Sequence, residues 1–233
     1  DRAAYIEGYK LWKKQKFEAA ISKFQTIVFK SRRSKHAIPA QFNIGSIYYV
    51  DLKRYELAVI EFTKVTALSR EKGEYSYRAQ RYIADIYREE FKNYERAIYE
   101  YRMLFRYSEV EYDLIKIMDS IYTCYLEAKL YSDAEKEFRD YLKRFNFTSP
   151  EKGQIYLMLG NLATLRDHWK DAIKYYEKAS EIKEFRNDGL FMMADLYYSR
   201  KKYKTARPYF QVLFDAGYKP DIIKGKLEFI DSK

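Results

Sequence analysis

Aromatic and small residues recur along this chain at helical intervals. Trp169, Ala172, Tyr176 and Ala179 fall on one face of a 3.6-residue period, with polar residues between them. The same phrase is written at Phe17/Ala20/Phe24/Ile27, Tyr55/Ala58/Phe62/Val65, Tyr94/Ala97/Tyr101/Leu104, Tyr131/Ala134/Phe138/Tyr141 and Tyr203/Ala206/Phe210/Leu213. Each copy predicts an amphipathic helix whose alanine lets a neighbour approach closely. A second amphipathic segment precedes each copy, and in five of the six it carries a small residue 12 or 13 positions before the key alanine. Gly8, Gly160 and Ala194 lie 12 residues before the key alanines Ala20, Ala172 and Ala206, whereas Gly45 and Ala84 lie 13 before Ala58 and Ala97. The spacing of 13 predicts one extra residue in the turn between those paired helices. The fourth copy has Tyr122 where the others have a small residue, which predicts looser packing of that pair and a local change of pitch.

Six helix pairs in one register make an array. The pattern resembles the tetratricopeptide repeat family, which has Gly or Ala at its eighth position, Ala at its twentieth and an aromatic at its twenty-fourth. The resemblance covers almost the whole chain and implies an all-α fold, a right-handed superhelical solenoid of about six helix pairs plus a C-terminal capping helix. The repeats are expected near 1–34, 38–72, 75–110, 113–147, 151–185 and 187–216, with the cap near 219–231, in a single domain spanning 1–233. Successive key alanines are 38, 39, 37, 38 and 34 residues apart, mostly longer than the family's usual ~34. Such stretched repeats resemble those of bacterial outer-membrane assembly lipoproteins and periplasmic envelope-coordination proteins.

Local punctuation agrees with helices. Thr148-Ser149-Pro150-Glu151 has a cap residue, a first-turn proline and an acid three residues after the cap, the signature of a helix start. Gly217 and Pro220 end one helix and begin the last, and Ile222, Ile223, Leu227, Phe229 and Ile230 give that last helix apolar residues to close the array. Pro208 lies where the second helix of the sixth pair should already be under way, so that helix is expected either to start late, capped by Thr205, or to bend; the late start is favoured.

Composition narrows function by exclusion. The only cysteine, Cys124, rules out an internal disulfide framework, and the two histidines, His36 and His168, have no partners at metal-ligand spacing. There is no Gly-rich phosphate loop, so neither an enzyme, a cofactor nor a metal site is expected. No apolar run approaches the ~18 residues of a membrane span. The chain starts with Asp1, so any envelope anchor would precede it. The net charge of +10 favours an acidic partner, and Lys30-Ser31-Arg32-Arg33-Ser34-Lys35-His36 forms a basic turn.

In the family the first helix of each pair lines a concave groove. That resemblance places Tyr5, Tyr9 and Trp12, then Phe42, Asn43 and Tyr49, then Arg78, Arg81 and Arg88 toward a partner, an aromatic and basic cradle in the N-terminal half. Aromatic and arginine side chains are enriched at binding hot spots. The clamp by which one subclass holds acidic chaperone tails is not carried over: Asn43 matches and Arg78 could stand for one lysine, but Tyr5, Tyr9 and Tyr82 fill the other positions. The expected function is a protein-interaction scaffold, with an acidic peptide or segment as candidate ligand, in a bacterial periplasm or cell envelope. A nucleic-acid-binding solenoid and a cytoplasmic co-chaperone or adaptor are the alternatives; Asp85, Asp119, Asp188 and Asp195 would interrupt a phosphate track along the groove.

Overall fold

The structure, a computed structural model, describes residues 1–30, 34–68, 73–107 and 114–233. Every regular element among them is helical: α1 (Arg2–Lys13), α2 (Phe17–Lys30), α3 (Ala37–Ser46), α4 (Tyr55–Leu68), α5 (Glu74–Glu89), α6 (Tyr94–Met103), α7 (Leu114–Glu127), α8 (Tyr131–Arg144), α9 (Ser149–Leu165), α10 (Trp169–Ser180), α11 (Arg186–Ser199), α12 (Tyr203–Asp215) and α13 (Pro220–Asp231). They form two compact units, Asp1–Ala128 and Lys129–Lys233. Within each unit every helix packs on the next in sequence, α1 through α7 in the first and α8 through α13 in the second.

The recurring phrase accounts for this packing. All six key alanines are fully buried, and so are the aromatics four residues beyond them, Phe24, Phe62, Tyr101, Phe138, Tyr176 and Phe210. The aromatic that opens each phrase is half-buried. The small residues of the first helices mark close crossings for a definite reason. A Cβ placed on Gly8 would stand 2.9 Å from the Phe24 ring, on Gly45 2.7 Å from Phe62, and on Gly160 2.3 Å from Tyr176. Each glycine is therefore the floor under its partner's aromatic ring.

The turns within pairs share one geometry. Gln15, Lys53, Lys92, Lys129, Asp167 and Lys201 have φ of 57°, 53°, 51°, 58°, 59° and 58°, and each stands two residues before the aromatic that opens the next helix. In three of these turns the residue after the left-handed one donates back to a carbonyl five residues earlier, Lys16 to Leu11, His168 to Ala163 and Lys202 to Tyr197, at 2.8 to 3.0 Å, so the last carbonyls of the first helix are satisfied. The left-handed region costs a residue with a Cβ ~1–2 kcal/mol. Lys92→Gly is therefore expected to raise stability by up to about 1 kcal/mol, the relief being partly offset by glycine's freer unfolded chain. Lys92→Pro should lower stability by more than about 1 kcal/mol, because the ring holds φ near −65°. Urea unfolding of the two variants checks both, and a glycine variant less stable than the parent would refute the strain argument.

Two expectations are corrected by these turns. The extra residue of the second and third pairs is not in the turn. It widens the end of the first helix instead, as a π-helical stretch over Ile47–Asp51, with Leu52 N–H donating to the Ile47 carbonyl and Arg54 N–H to that of Tyr48. Phe91 and Asn93 donate to Ile86 and Tyr87 in the same way. Because the turn keeps one shape, the additional residue is absorbed upstream of it. The second correction concerns Pro208. Helix α12 does not start late at Thr205; it starts at Tyr203, with Lys202 as its cap and Pro208 inside it. The fixed turn at Lys201 and the packing of the Tyr203 ring on Tyr198 and Phe229, at 5.5 and 5.7 Å, set the start. Pro208 itself is exposed, so the missing bond lies on the solvent side, where water can serve the carbonyl it leaves free.

The helix start at Thr148 is as expected: its backbone N–H and its hydroxyl both donate to the Glu151 carboxylate, at 2.7 and 2.8 Å. Helix α13 buries Ile223, Leu227 and Ile230 against α12, covering the face that α12 would otherwise leave open.

Candidate partner-binding surface

The aromatic residues of α1 rise from one helix face at positions 5, 9 and 12, and each is tied down. The Tyr9 and Trp12 rings meet edge to face at 6.1 Å, Lys13 Nζ lies 5.5 Å from the Tyr9 ring, and Trp12 Nε1 donates to Asp51 Oδ2 at 2.8 Å. Tyr5 stacks on His36 at 5.4 Å, and its hydroxyl accepts from Asn43 Nδ2 at 3.1 Å. His36 belongs to the basic turn of the sequence reading, whose residues 31–33 lie outside the described residues. The Tyr9 side chain remains 44% exposed.

Phe42 and Asn43 lie in the interior, Phe42 against Phe62, Tyr75 and Tyr82 and Asn43 beneath Tyr5. They hold the surface in place rather than form it. Tyr49 packs on Tyr55 and Tyr82, at 6.1 and 5.5 Å. Burial, together with the carboxylates of Glu89, Asp85 and Glu90, pushes its hydroxyl up to about 12, so it remains a neutral donor at any ordinary pH.

The three arginines come from α5, at positions 78, 81 and 88 of one face. The Arg78 guanidinium covers the Phe42 ring at 4.8 Å and pairs with Glu74 at 3.3 Å. Arg81 pairs with Asp85 at 3.8 Å, and Arg88 with Glu89 while lying 5.9 Å from the Tyr101 ring. Asp85 accepts from the Tyr101 hydroxyl; burial raises its pKa, while that hydrogen bond and the two guanidiniums pull it back. The cradle is consequently less basic than its arginines suggest, since α5 and the residue after it carry Glu74, Asp85, Glu89 and Glu90 against three arginines. Arg78 and Arg81, with side chains 44% exposed, are the more accessible of the three cations; Arg88, at 25%, is engaged in the network.

Sequence reasoning missed Asp51 and Tyr75 in this region, and it missed the contacts of His36 with Tyr5 and of Tyr82 with Phe42 and Tyr49. Their contacts span 30 residues or more, or join different helix pairs, and no local pattern records them. Cys124 is buried, and burial pushes its thiol up to about 11, which leaves it protonated near neutrality. Among the described residues no helix is long and apolar enough to cross a membrane.

A tetratricopeptide-repeat sequence profile matches residues 125–187. A protein of Cyanophora paradoxa carrying the name uncharacterized protein ycf37 is 34% identical over 64 residues, 28% of this chain, and the match spans only 37% of that relative's length. Among solved structures, the C-terminal part of a tetratricopeptide-repeat protein from Cytophaga hutchinsonii aligns with 91% of this chain and 78% of its own, at a TM-score of 0.58 and 15% identity. A tetratricopeptide-repeat protein from Parabacteroides merdae aligns with 98% of this chain and 99% of its own, at 0.49 and 15%. The Cytophaga likeness establishes the helical-repeat fold.

Proposed function

Because this chain carries tetratricopeptide repeats, we propose that it serves as a non-catalytic scaffold that binds another protein through the face formed by α1 and α5, within a bacterial cell-envelope assembly. The observation that carries the reading is the pre-ordered aromatic and guanidinium surface: Tyr9 and Trp12 locked against each other, Trp12 tied to Asp51, and Arg78 laid over Phe42. Side chains already held in one rotamer lose little entropy on binding, so their contact area is available as affinity. Arg78 and Arg81 give a carboxylate-bearing segment two fork-shaped donors, while Glu74 and Asp85 beside them favour a partner that also carries a cation or hydroxyl. The envelope setting rests on the stretched repeats and is tested separately, by locating the full-length protein in fractionated cells.

The interaction is tested by capturing the partner with the wild-type chain and titrating it against Arg78→Glu/Arg81→Glu. The expected result is a loss of affinity of about tenfold or more, the effect of removing arginine hot spots, with helical content unchanged. Arg88 is left in place because its side chain, the least exposed of the three, is engaged with Glu89 and lies against the Tyr101 ring. An unaltered titration with the double variant would show that the partner docks elsewhere.

A further inference from the structure

The second unit gathers positive charge at the tips of two adjacent turns. Residues 165–170 and 199–204 hold Arg166, Lys170, Arg200, Lys201, Lys202 and Lys204 against one carboxylate, Asp167, which is half of the chain's net charge of +10 in twelve residues. Three of these cations converge on one indole: Lys202 Nζ is 4.1 Å from the Trp169 ring centroid, the Arg200 guanidinium 5.5 Å and Lys170 Nζ 5.8 Å. Asp167 pairs with Arg200 and Glu135 with Arg166. No carboxylate among the described residues pairs with the four lysines. The turns are held rigidly, His168 N–H donating to the Ala163 carbonyl at 2.8 Å and Lys202 N–H to that of Tyr197 at 2.9 Å.

Two further features accompany the charge. Leu165, at the end of α9, is 52% exposed beside it. A depression of about 490 Å³ opens between the turns, lined by Thr164, Leu196, Ser199, Arg200 and Lys201. Cations crowded this closely repel one another, and an anion placed among them relieves that repulsion.

We propose that this edge of the second unit docks on an anionic phospholipid surface, with a headgroup phosphate in the depression and Leu165 and the Trp169 ring at the headgroup boundary. A soluble polyanion would be served by the lysines alone and has no use for a bare leucine among them. A membrane surface is served by both, since the lysine stems and the indole lie in the apolar boundary while the ammonium groups reach phosphate. The charge is also local rather than a track, which suits a point of attachment to a plane more than a path for a nucleic-acid strand. This surface is distinct from the α1 and α5 face, so its variants leave partner capture as an independent readout.

The test is flotation of the protein with vesicles of phosphatidylcholine alone and of phosphatidylcholine mixed with phosphatidylglycerol. Binding is expected only to the mixed vesicles. Each basic residue near an anionic membrane contributes about a fivefold factor in affinity, so Lys201→Glu/Lys202→Glu should lower binding by about 25-fold or more. Lys170→Glu/Lys204→Glu supplies a second pair of exposed positions should the first perturb the turn, with circular dichroism confirming the fold of each. In a Trp12→Phe background Trp169 is the sole tryptophan, and its emission should shift to the blue on binding. Failure to float with anionic vesicles, equal flotation with neutral ones, or unchanged flotation of both charge variants would overturn the proposal. So would saturable binding of polyglutamate, RNA or inorganic phosphate that abolishes flotation at stoichiometric concentration, since that assigns the surface to a soluble anion.

Discussion

Gly189→Ala is expected to destabilise the second unit by about 2 kcal/mol or more. A Cβ at this position in α11 would stand 2.5 Å from the Tyr176 carbonyl oxygen, 2.6 Å from Ser180 N and 2.9 Å from Ser180 Cα. These are backbone atoms of the end of α10, and no rotamer change moves them aside. The two helices must separate, which places the overpacking cost at or above the upper end of ~1–3 kcal/mol. The gain of ~1 kcal/mol from replacing a helical glycine with alanine offsets only part of it. Gly153→Ala supplies the contrast: its Cβ would be 2.3 Å from Phe185, but the obstacle is a half-buried ring that can swing, so cost and propensity nearly cancel. Urea unfolding of both variants decides the matter, and equal losses would show that the distinction between backbone and ring is irrelevant here.

Phe62→Ala should cost still more, about 3–5 kcal/mol. The ring is fully buried and is surrounded by Phe42 at 5.5 Å and Tyr82 at 5.2 Å, with Gly45 beneath it. Its removal leaves a cavity whose walls, themselves pinned aromatics, cannot collapse inward. The prediction extends to a reversal of sign. Gly45→Ala alone drives a Cβ to 2.7 Å from the ring and is destabilising; in the Phe62→Ala background the same methyl group fills vacated space and is stabilising. Such a coupling falls in the ~0.5–3 kcal/mol range found for residues in contact. Additive losses in the four-member cycle would mean that the glycine does not serve as the floor of that ring.

What could be read from the sequence was whatever repeats locally. The buried face of every second helix, the cap at Thr148 and the closing helix from Pro220 follow from spacing and cap chemistry within a few residues of one another. What could not be read depended on distance. Gly189 and Gly153 carry no signal because their obstacles belong to the ends of other elements. The net charge was visible, but its placement was not: the arginines of α5 look basic until their own helix supplies Asp85 and Glu89 as partners, whereas the lysines around Trp169 gather only when the turns at Asp167 and Lys201 come together. A rule about one residue, Pro208, points to a late start of α12, whereas the start is fixed by the turn at Lys201, which that residue does not reveal.

The widened helix ends at Ile47–Asp51 and Ile86–Phe91 bear on how such sequences are aligned. One inserted residue would rotate everything after it by ~100° about an α-helix, and the opening aromatic of the next helix would lose its place. Here the surplus is spent before the turn, so Tyr55 and Tyr94 arrive in the same phase as Phe17 and Trp169. Repeats of unequal length are thus structurally equivalent from the left-handed residue onward. An alignment gap between the 12- and 13-residue spacings belongs inside the last turn of the first helix, and placing it in the connecting loop would pair the wrong carbonyls in two repeats of six.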